Sequence, residues 1–149
     1  MKKISNIKFW NNFYKNKSLT NKPSKFAIFC KNKLKNYKSV VYDIGCGNGR
    51  DVIYFNKKRI YCIGIDKSNQ AILKDKKKFF AYKKHFKKEN FCNFFLKKKQ
   101  NKNFFIYSRF SLHAINYKSE QTLFNAFASQ KKLEYLFIET RTLDDEHYG

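Results

Sequence analysis

The stretch Val40–Arg50, VVYDIGCGNGR, restricts this chain to very few folds. Two valines, a tyrosine, Asp43 and Ile44 lead into glycine at every second position: Gly45, Gly47 and Gly49. An extended run that meets spaced glycines predicts a strand ending in a tight loop that feeds a helix. Glycine is used where φ is positive or where backbone must approach a ligand with no Cβ between them. Asp51-Val52-Ile53-Tyr54-Phe55 then opens the helix, and its first N–H groups face the same cavity as the loop.

The spacing separates ligand classes. A dinucleotide fingerprint reads G-x-G-x-x-G. Here the glycines read G-x-G-x-G, Arg50 fills the third-glycine slot, and Asp43 stands two residues before the first glycine. D-x-G-x-G-x-G resembles motif I of the class I S-adenosylmethionine-dependent methyltransferases. The resemblance implies a loop wrapped around the methionine half of S-adenosylmethionine, with the acidic residue near its cationic end. A second element supports this. Tyr61–Asp66, YCIGID, is a short apolar strand that ends in Asp66. An acid in that position accepts hydrogen bonds from both ribose hydroxyls in nucleoside-binding α/β folds. Gly64 suits close approach of the sugar, and Ser68 offers a separate cap for the following helix. The cofactor contacts implied by the resemblance are Asp43, Gly45, Cys46, Gly47, Gly49, Arg50, Asp66 and Lys67.

Composition narrows the setting. A chain of 149 residues suits one domain. With 42% hydrophobic and 19% aromatic residues it has material for a packed core, which argues against disorder. No apolar run reaches the length of a membrane span, and the N-terminus MKKISNIKFWNNFYK lacks the apolar region of a secretory signal. Cys30, Cys46, Cys62 and Cys92 form no CxxC pair, so neither zinc nor a disulfide framework is expected, and a reducing cytoplasm fits best. The formal charge of +22 ordinarily points to nucleic acid. It is discounted here: lysines are scattered in short runs, as on solvated helix faces, and Lys, Asn, Phe and Ile are used heavily throughout. A nucleic-acid partner stays possible but not favoured.

Taken in order, residues 1–36 are expected to form an N-terminal helical cap and 37–149 the α/β domain. Trp10, Phe13 and Tyr14 lie at helical spacing within residues 8–16. A polar loop follows to Lys22. Pro23 and Ser24 open a second helix with Phe26, Ala27, Phe29, Cys30 and Leu34 on its apolar face, running to about Asn36. The W…Y…PSxFA arrangement resembles the cofactor-capping helices of the same family. Beyond motif I the reading is a short helix to residues 56–58, strand two at Tyr61–Asp66, and a long basic helix from Gln70 to His85. His85 then interacts with the dipole at that helix's C-terminus. Phe91–Leu96, FCNFFL, is expected as strand three, with Asn93 near the adenine and Phe91, Phe94 and Phe95 as ring wall or plain core. Phe104-Phe105-Ile106 is strand four, beside strand one across the topological switch point, where ligands bind in such sheets. Tyr107, Ser108 and Arg109 then land near the transferable methyl group. YSRFSLHAI resembles the motif IV region of a subgroup associated with bacterial surface-glycan and small-molecule methylation. Ser119–Lys132 is a helix capped by Ser119, and Glu134–Thr140 is strand five with Glu139 at its carboxyl end. The tail holds Arg141, Asp144, Asp145 and His147 as possible substrate contacts.

The expected fold is therefore α/β: a Rossmann-like, doubly wound, mainly parallel sheet with helices on both faces. Strands one to five are present, and the C-terminal antiparallel hairpin of the family is absent, as in a fragment or a minimal member. The expected activity is S-adenosylmethionine-dependent methyl transfer to oxygen or nitrogen of a small-molecule or glycan-type acceptor. His113 is the candidate base, alone or with Glu139. Arg109, with Arg141, is the candidate grip on an anionic group of the substrate. A rim histidine without a chemical role and an Arg109–Glu139 ion pair are the plain alternatives. The [DNS]-PP-[YFW] motif of amino-base methyltransferases is missing, since YSRF stands there and the chain has a single proline. An RNA methyltransferase and an inactive cofactor-binding remnant stay open as rival readings.

Overall fold

The computed structural model describes residues 7–34 and 38–141. Its centre is β1 (Val40–Ile44), flanked by β2 (Cys62–Asp66) and β4 (Phe104–Arg109); β3 (Phe86–Lys88) and β5 (Leu133–Glu139) lie outside them. The spatial order is β3-β2-β1-β4-β5, and every pairing is parallel. Chain direction across the sheet therefore reverses between β1 and β4, which opens a crevice at their carboxyl ends. In register, Asp43 lies beside Gly64 on one side and Tyr107 on the other. The motif I strand thus delivers its loop into that crevice.

Helices cover both faces, so the strands are almost continuously apolar and neighbouring residues feed opposite cores. One core joins Tyr42, Ile44, Ile65, Phe104 and Ile106 to α5 (Phe91–Lys97) and α6 (Tyr117–Ala128) through Phe94, Phe95, Leu123 and Phe127. The other joins Val41, Cys62, Phe105 and Tyr107 to α2 (Lys25–Lys33), α3 (Arg50–Lys57) and α4 (Asn69–Lys78) through Ala27, Cys30, Val52, Phe55 and Ile72. Each fully buried Phe or Ile here contributes roughly 1.5–3 kcal/mol by leaving water. α1 (Ile7–Asn16) carries no fully buried residue and lies across α4. No described helix is long and apolar enough to cross a membrane.

Four expectations are corrected. Phe91–Leu96 is not strand three but most of α5. Its buried residues Phe91, Cys92, Phe94 and Phe95 follow helical spacing, and Asn90 caps it by accepting the Cys92 N–H at 2.9 Å. The third strand is the three-residue β3, Phe86-Lys87-Lys88, which is too short to announce itself. The long helix stops early: α4 ends at Lys78, the Phe79 N–H closes onto the Asp75 carbonyl at 2.8 Å, and Phe80–His85 continues as a 3₁₀ segment. Consequently His85 does not serve a helix dipole. It is buried, and its Nδ1–H donates to the carbonyl of Cys62 at 2.9 Å. Finally α6 is capped by Asn116, whose Oδ1 accepts the Ser119 N–H at 2.8 Å, so Ser119 is not the cap. The expected helix end at Asn36 and the tail residues Asp144, Asp145 and His147 lie outside the described residues.

Candidate cofactor and acceptor site

All three motif I glycines have positive φ: 74° at Gly45, 58° at Gly47 and 67° at Gly49. This left-handed region is costly for any residue with a Cβ. Space forbids a side chain as well. A Cβ at Gly45 would stand 2.5 Å from Ser111 Cβ, and one at Gly47 would stand 2.6 Å from the Tyr14 hydroxyl. The loop is pinned to the neighbouring strand, with the Gly45 N–H donating to the Ile65 carbonyl at 2.8 Å. Gly49 is the N-cap of α3, and the Cys46 side chain is buried against Gly64. Arg50 begins α3 and stands near the Asp51 carboxylate, 3.9 Å away.

Asp66 closes the other side. It is buried, and its carboxylate accepts the Gly47 N–H at 3.0 Å and the Ser68 N–H at 2.8 Å. Burial raises its pKa, and these two bonds pull it back. The Lys67 backbone N–H also bonds it, and a carboxylate with about four lone-pair positions keeps acceptor capacity beyond these three. Lys67 follows it, and its positive charge also favours the ionised Asp66. Asp43 is buried at the end of β1. Desolvation, with the negative charges of Asp51, Asp66 and Asp75, pushes its pKa well above the usual carboxylate range.

α1 roofs this loop. Its Asn11 Oδ1 accepts a hydrogen bond from Ser68 Oγ at 2.8 Å, and its Tyr14 hydroxyl faces Gly47. Lys74 of α4 reaches the carbonyls of Tyr14 and Lys15. A cavity of about 340 Å³ opens beside the roof, lined by Tyr14, Asn48, Lys74 and Asp75 among others.

Two sequence-assigned cofactor contacts move. Asn93 lies on the exposed face of α5, because its segment is a helix. Asn90 takes the place of the polar residue just beyond the carboxyl end of β3, next to Glu89, whose N–H donates to the Asp66 carbonyl at 3.0 Å. Tyr107 points into the core: it is 1% exposed and its hydroxyl donates to Asp51 Oδ2 at 2.8 Å. Its place in β4 has period-two alternation, which sends Ser108 to the opposite face.

The remaining candidates gather on a rim at the ends of β4 and β5. Arg109 and Glu139 are register partners and form an ion pair, Nε to Oε2, at 2.6 Å. Between the strand and the loop stands Phe110, with φ of 52° and its N–H donating to the Glu139 carbonyl at 2.9 Å. The Arg109 and Arg141 guanidinium groups lie over its ring, 4.3 and 5.3 Å from the centroid. Ser111 joins this rim to the glycine loop through its contact at Gly45, and its Oγ is 2.6 Å from Ser108 Oγ. His113 sits in the 3₁₀ segment Leu112–Ala114. Partial burial and the positive charge of Arg141 hold its imidazole pKa below the ordinary value.

A methyltransferase-domain family profile matches residues 16–148. The chain belongs to this family. Its fold is that of class I methyltransferases, for which S-adenosylmethionine is the cofactor. No curated protein matches the chain significantly. Among solved structures, the methyltransferase domain is similar to one described as converting a disulfide bond into a thioacetal group during echinomycin biosynthesis. That pair has a TM-score of 0.65 and 16% identity, covering 80% of this chain and 52% of the other. The glycopeptide N-methyltransferase MtfA complexed with S-adenosylmethionine gives a TM-score of 0.59 at 12% identity, over 74% of this chain and 51% of MtfA. The plantazolicin methyltransferase BpumL, complexed with S-adenosylhomocysteine, gives 0.53 at 20% identity, over 73% and 40%. This methyltransferase domain thus spans about half the length of the solved structures it resembles.

The residues fit the cofactor on their own geometry. A loop whose backbone leaves no room for Cβ atoms meets a buried carboxylate with acceptor capacity remaining at the end of the adjacent strand. Sequence analysis singles out neither Asn11, Asp51, Asp75 nor Asn90. Only Asn90 had a local signal, an Asn placed directly before apolar residues at helical spacing.

Proposed function

We propose that this methyltransferase domain transfers a methyl group from S-adenosylmethionine to oxygen or nitrogen of a small-molecule, peptide or glycan-type acceptor. The observation that carries the reading is the Gly47 N–H to Asp66 bond, which locks the glycine loop against an acid at the end of β2. MtfA and BpumL, which share the fold, act on a glycopeptide and on plantazolicin by their descriptions, in keeping with an acceptor of this class.

The bound cofactor supplies an electrophilic methyl group on a sulfonium. Asp66 takes the ribose hydroxyls, and Asn90 replaces Asn93 as the polar neighbour of the adenine. Asp43, whose burial disfavours a lone negative charge, accepts the cationic end of the cofactor, which offsets that penalty. Gly45, Cys46, Gly47, Gly49, Arg50 and Lys67 complete the cofactor contacts. The N-terminal helices α1 and α2 act as the lid over this half, with Tyr14 and Asn11 on its inner surface.

His113 takes the proton that a hydroxyl or ammonium acceptor must lose. A depressed pKa keeps its imidazole neutral, and so able to accept, at physiological pH. Glu139 is held by Arg109 and serves as the orienting partner of that arginine. Arg141 supplies positive charge for an anionic group on the acceptor. Positioning alone can provide about 7–11 kcal/mol for such an in-line displacement. A cytoplasmic location accords with four buried, free cysteines.

The test is transfer from isotope-labelled S-adenosylmethionine to panels of hydroxylated and amine-bearing small molecules, peptides and glycans. Label in an acceptor, lost in His113→Ala, is the expected result. Cofactor binding with no transfer to any panel contradicts an active enzyme and favours a binding remnant.

A further inference from the structure

Three side chains with no part in the contacts assigned above join the lid to the cofactor loop. Ser24 begins α2, Asp51 is the second residue of α3, and Tyr107 lies in β4. All three are buried. The Asp51 carboxylate accepts the Ser24 N–H, the Ser24 Oγ–H and the Tyr107 hydroxyl, each at 2.8 Å. Ser24 Oγ in turn accepts the Ala27 N–H at 3.0 Å, which caps α2. One carboxylate therefore fixes the start of α2, the start of α3 and the middle of the sheet.

The consequence reaches the roof. The segment entering Ser24 comes from α1, and the Thr20 carbonyl on it accepts Asn48 Nδ2 of the glycine loop at 2.8 Å. Lys78 of α4 also reaches Asn21 on this segment. α1 is itself poorly buried and holds its place through Asn11, Tyr14 and Lys74 contacts. An amphipathic helix whose packed face, Trp10, Asn11, Phe13 and Tyr14, is only half-buried needs its end fixed if it is to stay over a ligand.

We propose that Ser24 and Asp51 are positioning residues that clamp the α1–α2 lid over the glycine loop and so set the affinity for the cofactor. This rests on the cofactor reading above. Neither residue touches the cofactor; each acts through the placement of Tyr14 and Asn11. Loss of the clamp leaves the sheet and the glycine loop intact and lets α1 drift from Gly47 and Ser68.

The experiment compares Ser24→Ala, Ser24→Thr and Asn116→Ala in the whole chain. Asn116→Ala removes a helix cap of similar kind far from the lid, and so controls for lost stability. Calorimetric titration with S-adenosylhomocysteine is expected to show Kd raised about tenfold in Ser24→Ala, the scale of one to two lost buried hydrogen bonds. Ser24→Thr keeps the hydroxyl and restores affinity, and Asn116→Ala leaves Kd unchanged. With an acceptor in hand, KM for the cofactor rises in Ser24→Ala while kcat at saturation holds. Equal Kd in Ser24→Ala and Asn116→Ala overturns the clamp. If the wild-type chain binds no cofactor, the cofactor reading fails separately, and the clamp is judged by Trp10, the single tryptophan, which lies in α1. Greater acrylamide quenching of Trp10 in Ser24→Ala than in Asn116→Ala then supports it, and equal quenching overturns it.

Discussion

Two titratable residues carry opposite lessons about burial. His113 is desolvated beside Arg141, so its cationic form is disfavoured and its pKa falls. Transfer that uses it as a base requires the neutral ring, so kcat/KM should fall on the acid side, with a limb below the ordinary imidazole pKa of about 6.5. Arg141→Ala removes a positive neighbour and should move that limb upward; His113→Ala should lower turnover about 10²–10⁴-fold with cofactor affinity unchanged. A pH–rate profile of the three proteins checks both. Asp75 is the reverse case. It is 2% exposed, its Oδ2 has no hydrogen-bond partner, and burial with the nearby Asp66 charge pushes its pKa up to about 8. Between roughly pH 4, where an unfolded aspartate titrates, and pH 8 the folded chain holds a proton that the unfolded chain has lost. The Asp75 contribution to stability is therefore full below about pH 4 and is lost as pH rises from there through 8. Asp75→Asn has no proton to lose. Its stability relative to wild type should improve by more than about 1 kcal/mol between pH 5 and pH 9, as read by denaturant unfolding at the two pH values. A difference independent of pH would contradict this account of Asp75.

At the scale of elements, legibility followed the strength of the local constraint. The β1–loop–α3 unit was readable because positive φ at three alternating positions admits little but glycine, and because β1 and β2 are apolar runs that end in acids. β3 was not readable: three residues with two lysines carry no periodic signal. FCNFFL was misread because a short apolar run fits a buried strand and a buried helix equally, and only the Asn90 cap distinguishes them. That error put Asn93 at a strand end, where the structure has Asn90 just beyond β3. Tyr107 was misplaced for a different reason, since strand position was read correctly but its face was decided by Asp51, a partner distant in sequence. Asn90→Ala should cost about 1 kcal/mol through loss of the α5 cap. The reading here requires a second effect, weaker binding of S-adenosylhomocysteine, which Asn93→Ala should not show. Equal affinities of the two variants would return the adenine side to an open question of backbone contacts alone.

For the whole molecule, charge is the dominant collective property. With 33 basic and 11 acidic side chains the net charge is +22, and the folded state concentrates it. Self-repulsion of this size destabilises a compact chain, and salt screens it, with the Debye length falling from about 10 Å at 0.1 M to about 3 Å at 1 M. The melting temperature should therefore rise with added sodium chloride across that range, and a fall would show that specific ion pairs outweigh the repulsion. The sheet topology itself places the site. Strand order β3-β2-β1-β4-β5 brings the glycine loop, Asp66 and the β4–β5 rim to one edge, although they come from four separate stretches of sequence.

That convergence is most directly tested by calorimetric titration of the chain with S-adenosylhomocysteine, wild type against Asp66→Ala. Saturable binding in the wild type that is lost in Asp66→Ala, with the variant still folded by circular dichroism, is the result this account predicts. Undiminished binding in Asp66→Ala, or none in a folded wild-type chain, would contradict it.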